Sequence, residues 1–445
     1  MRTVELIRRK RDGGKLSSGE IDSLIQGFVA GEIPDYQMSA LLMAIYLRGM
    51  DEEETFHLTE AMARSGKELK FDVAGFVGDK HSSGGVGDKV SLVLVPLIAS
   101  AGLFMGKLSG RGLGHTGGTI DKLESIPGFR AEMSLERFKR QVEEIGAAIA
   151  ESSTEVVPAD HKLYALRDVT GTVGSLPLIA SSIMSKKLAV GSDGIVLDVK
   201  LGKGALIRDP AQAEGLARMM VEIGRRAGRK MAALITAMDQ PLGKAVGNAL
   251  EVKEAIGALR GEGPADLEEL CLELGGELLL MAGEAGTRGE AKGKLRRRLR
   301  DGSAFVKFQE LVEHQGGDPR TLEDLDLLPR AEHHLEVRAA RSGSIVELDA
   351  LEIGEAAHLL GAGRTVKGEE IDPAVGIELL KKVGDRVEEG EPLARIHYNS
   401  RERGSEAQAK VERAFLIGPE PPEPELEPLI RSRIHCSSSK SKGER

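Results

Sequence analysis

Residues 79–124 constrain the fold more than any other stretch of the chain. They read Asp-Lys-His-Ser-Ser-Gly-Gly-Val-Gly-Asp-Lys-Val-Ser, then an apolar run, then Ser-Gly-Arg-Gly-Leu-Gly-His-Thr-Gly-Gly-Thr-Ile-Asp-Lys-Leu-Glu. Two glycine-rich turns bracket one apolar segment. Glycine lets backbone N–H groups converge on a ligand with no Cβ in the way, and Lys80, Ser82, Ser91, Ser109 and Thr119 add side-chain donors around that convergence. Such chemistry suits an oxyanion, phosphate above all. The run at 90–101 is apolar enough for a buried strand or a buried helix. If it is helical, Ser91 falls in its first turn, where orphan N–H groups and the helix dipole favour an anion.

Two other phosphate-binding signatures do not fit. Gly112, Gly114 and Gly117 have the dinucleotide spacing, but that fingerprint opens a helix, and Pro127 arrives too soon for a long one. No Gly-x-x-x-x-Gly-Lys-Ser/Thr occurs, so an NTPase loop has no support.

The chain has 445 residues, beyond the size at which one core usually stops growing, so two or three domains are expected. A share of 41% hydrophobic and 29% charged residues fits a globular protein and excludes collagen-like or wholly disordered structure. A formal charge of −9 argues against nucleic acid as the main partner, while leaving room for a local basic pocket that takes a small anion. Cys271 and Cys436 form no metal-ligand spacing and read as free thiols of a reducing compartment. The first residues, Met-Arg-Thr-Val-Glu, lack an apolar signal region. The longest apolar run, 92–105, contains Pro96 and falls short of the roughly 20 residues of a membrane helix. A cytoplasmic protein without a membrane partner is the expectation.

Along the chain, residues 1–65 read as helices. Ser17 and Glu20 form a capping box before Ile21, Leu24, Ile25 and Phe28, whose spacing makes one apolar stripe. Further helices start at Asp35 and Asp51. From Phe71 short apolar runs alternate with glycines and helical patterns, which is the α/β signature. Strands are expected at 104–108, 194–200 and 231–235, helices at 135–150, with a strand edge following 147–149, and between 160 and 188, and a third glycine turn at 201–205. Residues beyond 336 carry strand-like segments at 344–349 and 395–398 with closely spaced turns. The stretch from Pro419 is rich in proline, glutamate and then serine and lysine, so it reads as a flexible tail. The basic run at 294–300 reads as a solvated helix face.

Residues 109–124 match the signature of the thymidine and pyrimidine-nucleoside phosphorylase family without a break. The chain also resembles that family, in the family's order, at 80–88, at 164–168 (Tyr-Ala-Leu-Arg-Asp), at 176–187 (Leu-Pro-Leu-Ile-Ala-Ser-Ser-Ile-Met-Ser-Lys-Lys) and at 247–254 (Gly-Asn-Ala-Leu-Glu-Val-Lys-Glu). The resemblance covers roughly residues 1–415. It implies an α/β protein: a small all-α domain (1–65 and 160–190) hinged to a larger mixed-sheet α/β domain that holds phosphate (66–159 and 191–335). A C-terminal α+β module (336–415) and the tail (416–445) complete the expected organisation.

The same resemblance implies reversible phosphorolysis of pyrimidine nucleosides, such as uridine, thymidine and deoxyuridine, to free base and (deoxy)ribose 1-phosphate. Inorganic phosphate is then the co-substrate, no organic cofactor is needed, and the expected assembly is a homodimer through the helical domain. By position, phosphate falls on Lys80, His81, Ser82, Ser91, Lys107, Leu108, Ser109 and Thr119. The base falls on Arg167, Ser182 and Lys186, with His81, Arg167 and Lys186 as the catalytic set. A potassium ion is implied between the carbonyls of Gly87, Lys89, Leu242 and Ala245 and the carboxylate of Glu254. Position 89 is a lysine where the pattern has a small or neutral residue, and its ammonium competes with such an ion. Gly171 and Gly174 likewise stand where bulkier residues are usual, and Leu206 where phenylalanine is usual.

Elementary chemistry agrees with these roles. Uracil and thymine present two carbonyl acceptors flanking one N–H donor, so two cations and a hydroxyl make a complementary edge. Ser182 and Lys186 are four residues apart on a predicted helix and share a face. As the C–N bond breaks, negative charge grows on the base and positive charge on the sugar. Arg167 and Lys186 stabilise the former while phosphate faces the latter. His81, with an ordinary imidazole pKa of about 6.5, is the candidate to protonate a base carbonyl. Lys107 resembles the branch with broad pyrimidine-nucleoside specificity, a polar side chain near the sugar tolerating a 2′-hydroxyl. Three rivals remain: a thymidine-restricted phosphorylase, a phosphoribosyltransferase with Asp121 and Glu124 as Mg²⁺ ligands, and a silent nucleoside- or phosphate-binding protein. The intact set of Arg167, Ser182 and Lys186 favours the phosphorylase.

Overall fold

The computed structural model describes residues 2–112, 114–366, 368–419 and 428–435. Four helices open it: α1 (Thr3–Arg11), α2 (Ser18–Val29), α3 (Asp35–Arg48) and α4 (Glu52–Ala63). Glu20 accepts the Ser17 N–H at 2.9 Å, and Asp51 and Glu54 exchange N–H bonds in the same way, so acidic caps fix where α2 and α4 begin. The chain then enters the sheet: β1 (Val77–Ser82), α5 (Val90–Ser100), β2 (Phe104–Ser109), α6 (Thr119–Leu123), α7 (Leu135–Ile145) and β3 (Ala147–Glu151). It returns to the helical domain as α8 (Pro158–Thr170) and α9 (Leu176–Ala189), and re-enters the sheet through β4 (Gly194–Leu201), α10 (Pro210–Arg226) and β5 (Lys230–Ala237).

The 90–101 segment, ambiguous from its residues, is the helix α5, with Val90 to Ala99 buried. The single helix expected over 135–150 is instead α7 and β3. Gly146, at φ 78°, ends the helix with a left-handed residue, and the chain turns at once into the strand.

Strands β1 to β5 are parallel, and with the late strand β13 (Ile430–His435) the sheet runs β13-β5-β4-β1-β2-β3. Chain direction across the sheet reverses between the neighbours β1 and β4. In an open α/β sheet the crevice at the carboxyl ends of such a pair is where ligands bind. Lys80, His81 and Ser82 lie at that end of β1, opposite Val196, Leu197 and Asp198 of β4.

The C-terminal module follows β6 (Ala245–Val246), α11 (Asn248–Leu259), α12 (Ala265–Ala282), α13 (Arg288–Arg300) and α14 (Ser303–His314). It contains β7 (His333–Arg338), β8 (Gly343–Leu348), β9 (Gly376–Leu379), β10 (Arg386–Val387), β11 (Pro392–Tyr398) and β12 (Phe415–Gly418). Its sheets are β10-β8-β12 and β6-β9-β11-β7, so the α/β domain lends β6 to the module. One apolar core, from Val86 and Val90 to Val411 and Ile417, runs through both parts. Two further clusters seat the helical domain, one around Leu24, Leu42 and Phe138, the other around Met184, Leu216 and Ile235.

The flexible-tail expectation is corrected at two places. Phe415–Gly418 pairs antiparallel with β8, and Ile430–His435 forms β13, antiparallel to β5 on the edge of the main sheet. The six residues Ile-Arg-Ser-Arg-Ile-His alternate, with Ile434 buried against the sheet, while Arg433 reaches Glu273 at 2.8 Å and His435 reaches Glu277 at 2.9 Å on α12. The run is short and sits among proline, glutamate and serine, which hides its period. Cys436 lies outside the described residues; Cys271 is buried and free.

Replacing Ile434 with Asp is expected to lower the unfolding free energy by about 2–4 kcal/mol, because a carboxylate would then be pressed into an apolar cluster. Ser432→Thr, at an exposed position of the same strand, is expected to change it by less than about 0.5 kcal/mol. Urea unfolding of both variants checks this. An unchanged midpoint for Ile434→Asp would mean that β13 is not docked.

Candidate active site

Side chains alternate along β1, and the alternation sorts charge onto two faces of the sheet. Asp79 faces α9, where the Lys187 ammonium meets its two carboxylate oxygens at 3.1 and 2.9 Å, fully buried. Lys80 faces the other way. Its Nζ stands 3.7 Å from a carboxylate oxygen of the partly buried Asp88 and 3.7 Å from one of the fully buried Asp198, and has no hydrogen-bond partner. Asp198 is itself 2.8 Å from Lys200 Nζ and accepts from the Thr236 hydroxyl at 2.6 Å. Burial would raise the Asp88 carboxyl, but Lys80, Lys200 and Lys122 with the Ser82 hydroxyl hold it far below the carboxylate range.

This arrangement leaves the Lys80 ammonium buried, held near two carboxylates at more than contact distance, with its donors unspent. An oxyanion satisfies such a group. Ser82 donates to Asp88 at 2.5 Å, Ser91 is buried in the first turn of α5, Ser109 ends β2, and Thr119 opens α6. The second glycine loop is closed on itself. A Cβ on Gly118 would lie 2.0 Å from Gly112 N, so no side chain fits there. Asp121 accepts from Gly112 N–H and from Arg364 of the C-terminal module, each at 2.7 Å, and Glu124 is paired with Arg111. Both acids offered as Mg²⁺ ligands are therefore engaged in shaping the loop.

The base-side residues lie on α8 and α9. Lys186 Nζ donates to Ser182 Oγ at 3.1 Å, confirming the shared face, and makes an ion pair with Asp160. Arg167 is buried. Its guanidinium donates to Leu178 O at 3.0 Å and Val173 O at 2.8 Å, which ties the α8–α9 turn, and Nε has no partner. Burial pulls its pKa below the ordinary arginine value, with Asp160 opposing. Gly171, at φ 69°, ends α8 in a left-handed conformation with open space where a Cβ would go.

His81 follows Lys80 on β1 and feels the charges of both groups. Burial first, then the ammonium groups of Lys187, Lys107, Lys186 and Lys80, push its pKa well below 6.5. This environment favours the uncharged ring, which has one N–H donor and one acceptor nitrogen, over the imidazolium expected to protonate the base. Lys107, buried and donating to Leu108 O at 3.1 Å, is likewise pushed well below its usual pKa by burial and then by Lys187, with Asp79 partly opposing.

The five positions implied for a potassium ion do converge, but the group at their centre belongs to the protein. Lys89 Nζ donates to Leu242 O and Ala245 O, each at 2.9 Å, and to the Glu254 carboxylate. Residues passed over in the sequence are the acids that neutralise the lysines: Asp79, Asp88, Asp160, Asp198 and Glu251, the last 2.7 Å from Lys122.

With this geometry in view, comparison with known proteins is informative. The chain matches the helical bundle domain of the glycosyl transferase family at residues 4–66 and its a/b domain at 75–305. It matches the pyrimidine nucleoside phosphorylase C-terminal domain at 344–418. It is 52% identical over 422 residues to a pyrimidine-nucleoside phosphorylase of Geobacillus stearothermophilus, covering 95% of this chain and 97% of the relative. It is 50% identical over 427 residues to one of Bacillus subtilis, covering 96% and 98%. A crystal structure of anthranilate phosphoribosyltransferase from Thermus thermophilus superimposes with a TM-score of 0.58 at 20% identity, over 69% of this chain and 98% of that one, which is a likeness of fold.

Because the folded-state pKa of His81 lies below the unfolded value, protonation disfavours the folded state, and this contribution to stability is lost as pH falls below about 6.5. The His81 ring resonances are expected to stay at their neutral shifts from about pH 8 down to pH 6. An NMR titration with an inflection near 6.5, absent from His81→Gln, would overturn the neutral assignment.

Proposed function

From the chain's membership of the pyrimidine-nucleoside phosphorylase family of glycosyltransferases, we propose that it cleaves pyrimidine nucleosides reversibly with inorganic phosphate. The observations that carry the reading are the buried Lys80 ammonium without a hydrogen-bond partner and the Ser182–Lys186 pair, both lysines being near enough to His81 to depress its pKa. Phosphate on the Lys80 side attacks C1′. The new C1′–O bond forms as the C1′–N1 bond breaks, and the base leaves with the bonding electrons. Lys186 and Arg167 are the cations that receive this charge on the base carbonyls, Ser182 supplies the hydroxyl of the edge, and the neutral His81 ring donates a hydrogen bond. Two of the five guanidinium donors of Arg167 are spent on Val173 and Leu178, which leaves others for a base. The base takes up its proton from solvent after release.

Uridine, thymidine and deoxyuridine are the proposed substrates, with Lys107 beside the sugar accommodating a 2′-hydroxyl. Support for a homodimer comes from exposed apolar side chains on the helical domain: Tyr36, Met43 and Leu47 along α3, with Tyr164 and Val169 on the adjacent α8. No described helix is long and apolar enough to cross a membrane. A cytoplasmic setting fits the unpaired Cys271.

Free base is expected from uridine and from thymidine only when phosphate is present, and Lys186→Ala is expected to lower kcat/KM by about 10²-fold or more. Release from thymidine alone would contradict the broad specificity. Nucleoside binding without any release would favour a silent binding protein. In sedimentation, Leu47→Glu is expected to shift the protein from dimer to monomer; a wild-type monomer would overturn the dimer proposal.

A further inference from the structure

Lys89 is among the largest fully buried side chains of the protein, and burying an ammonium is costly unless it is paired. Its three donors meet three acceptors: Leu242 O, Ala245 O and Glu254. The loops around it are already in contact. A Cβ on Gly87, at φ 72°, would lie 2.5 Å from Leu242 O, and Leu242 N donates to Val86 O at 3.1 Å. The opposite oxygen of Glu254 accepts from Lys244 N at 2.8 Å. A second ammonium, Lys382 of the C-terminal module, donates to Gly243 O at 2.8 Å and to Pro241 O, and lies 3.2 Å from Asp266.

Charge therefore closes inside this cluster. Lys89 and Lys382 face Glu254 and Asp266, two cations against two carboxylates, and the carbonyls of residues 241, 242, 243 and 245 are all spent on ammonium groups. Burial alone would lower the pKa of Lys89, but Glu254, Glu251 and Asp266 outweigh it and the group stays charged. A monovalent cation would have to displace a covalently tethered one and add unbalanced charge to a buried place. The residues present do not fit the ion.

We propose that the Lys89 ammonium stands in for a monovalent cation. It bonds the segment between the first glycine loop and α5 to the 242–245 loop and α11, so that the phosphate-side loop is ordered without potassium. The carbonyl cage that would strip water from an ion is filled by a side chain of the chain itself.

The test reads thermal stability, which does not depend on the reaction catalysed. The wild-type Tm is expected to be the same, within about 1 °C, in potassium chloride and in tetramethylammonium chloride of equal ionic strength. Lys89→Thr removes the ammonium and leaves a hydroxyl, two carbonyls and a carboxylate. Its Tm is expected to fall by about 5 °C or more in tetramethylammonium chloride and to recover saturably as potassium is added. Lys89→Met, which fills the space with an apolar chain, is expected to fall without recovery. A saturable, potassium-specific rise in the wild-type Tm would overturn the proposal even if neither variant folds. So would a folded Lys89→Thr protein indifferent to potassium.

Discussion

The structure depends on placing lysines where lysines are seldom found. Lys80, Lys89, Lys122 and Lys200 are among its largest fully buried side chains; the first three lie beside a carboxylate from a distant part of the chain, and Lys200 beside Asp198 of its own strand. Removing these charges from water is costly, and their mutual attraction offsets the cost only when every donor is used or held for a ligand. Lys89 uses all its donors. Lys80 does not, and that difference separates a structural ammonium from one available to an anion.

Strand β1 carries this scheme through the molecule. Because its side chains alternate, the Asp79–Lys187 pair fastens the sheet to α9 of the helical domain while Lys80 and Ser82 look toward α5 and β4. The base-side residues of α9 and the phosphate-side residues of β1 are thereby held in one register by a pair of charges one residue along from each group. Lys186 and Lys187 are adjacent, as are Asp79 and Lys80.

Much of this was legible in the sequence because glycine spacing and residue type carry it. The glycine loops, the parallel strands at 194–200 and 231–235 and the shared face of Ser182 and Lys186 follow from local pattern. What escaped is non-local. Asp79 and Lys187 are 108 residues apart, and nothing near either predicts the pair. The depressed pKa of His81 arises from burial and then from four lysines spread over residues 80–187. The run that became α5 shows no period because it is buried on every side, so its residues could not distinguish helix from strand. Strand β13 escaped because six residues of alternation are brief against a disordered-looking background.

That last strand sets a constraint on how the protein is made. Roughly 190 residues separate β5 from the strand that covers its edge. At a synthesis rate of about 5–20 residues per second, the nascent chain carries an open, apolar sheet edge for roughly 10–40 s. An uncovered edge is a template for pairing with another chain. The ribosome-bound intermediate, rather than the finished protein, is then the species most in need of a chaperone, and slow translation of the C-terminal module lengthens its exposure.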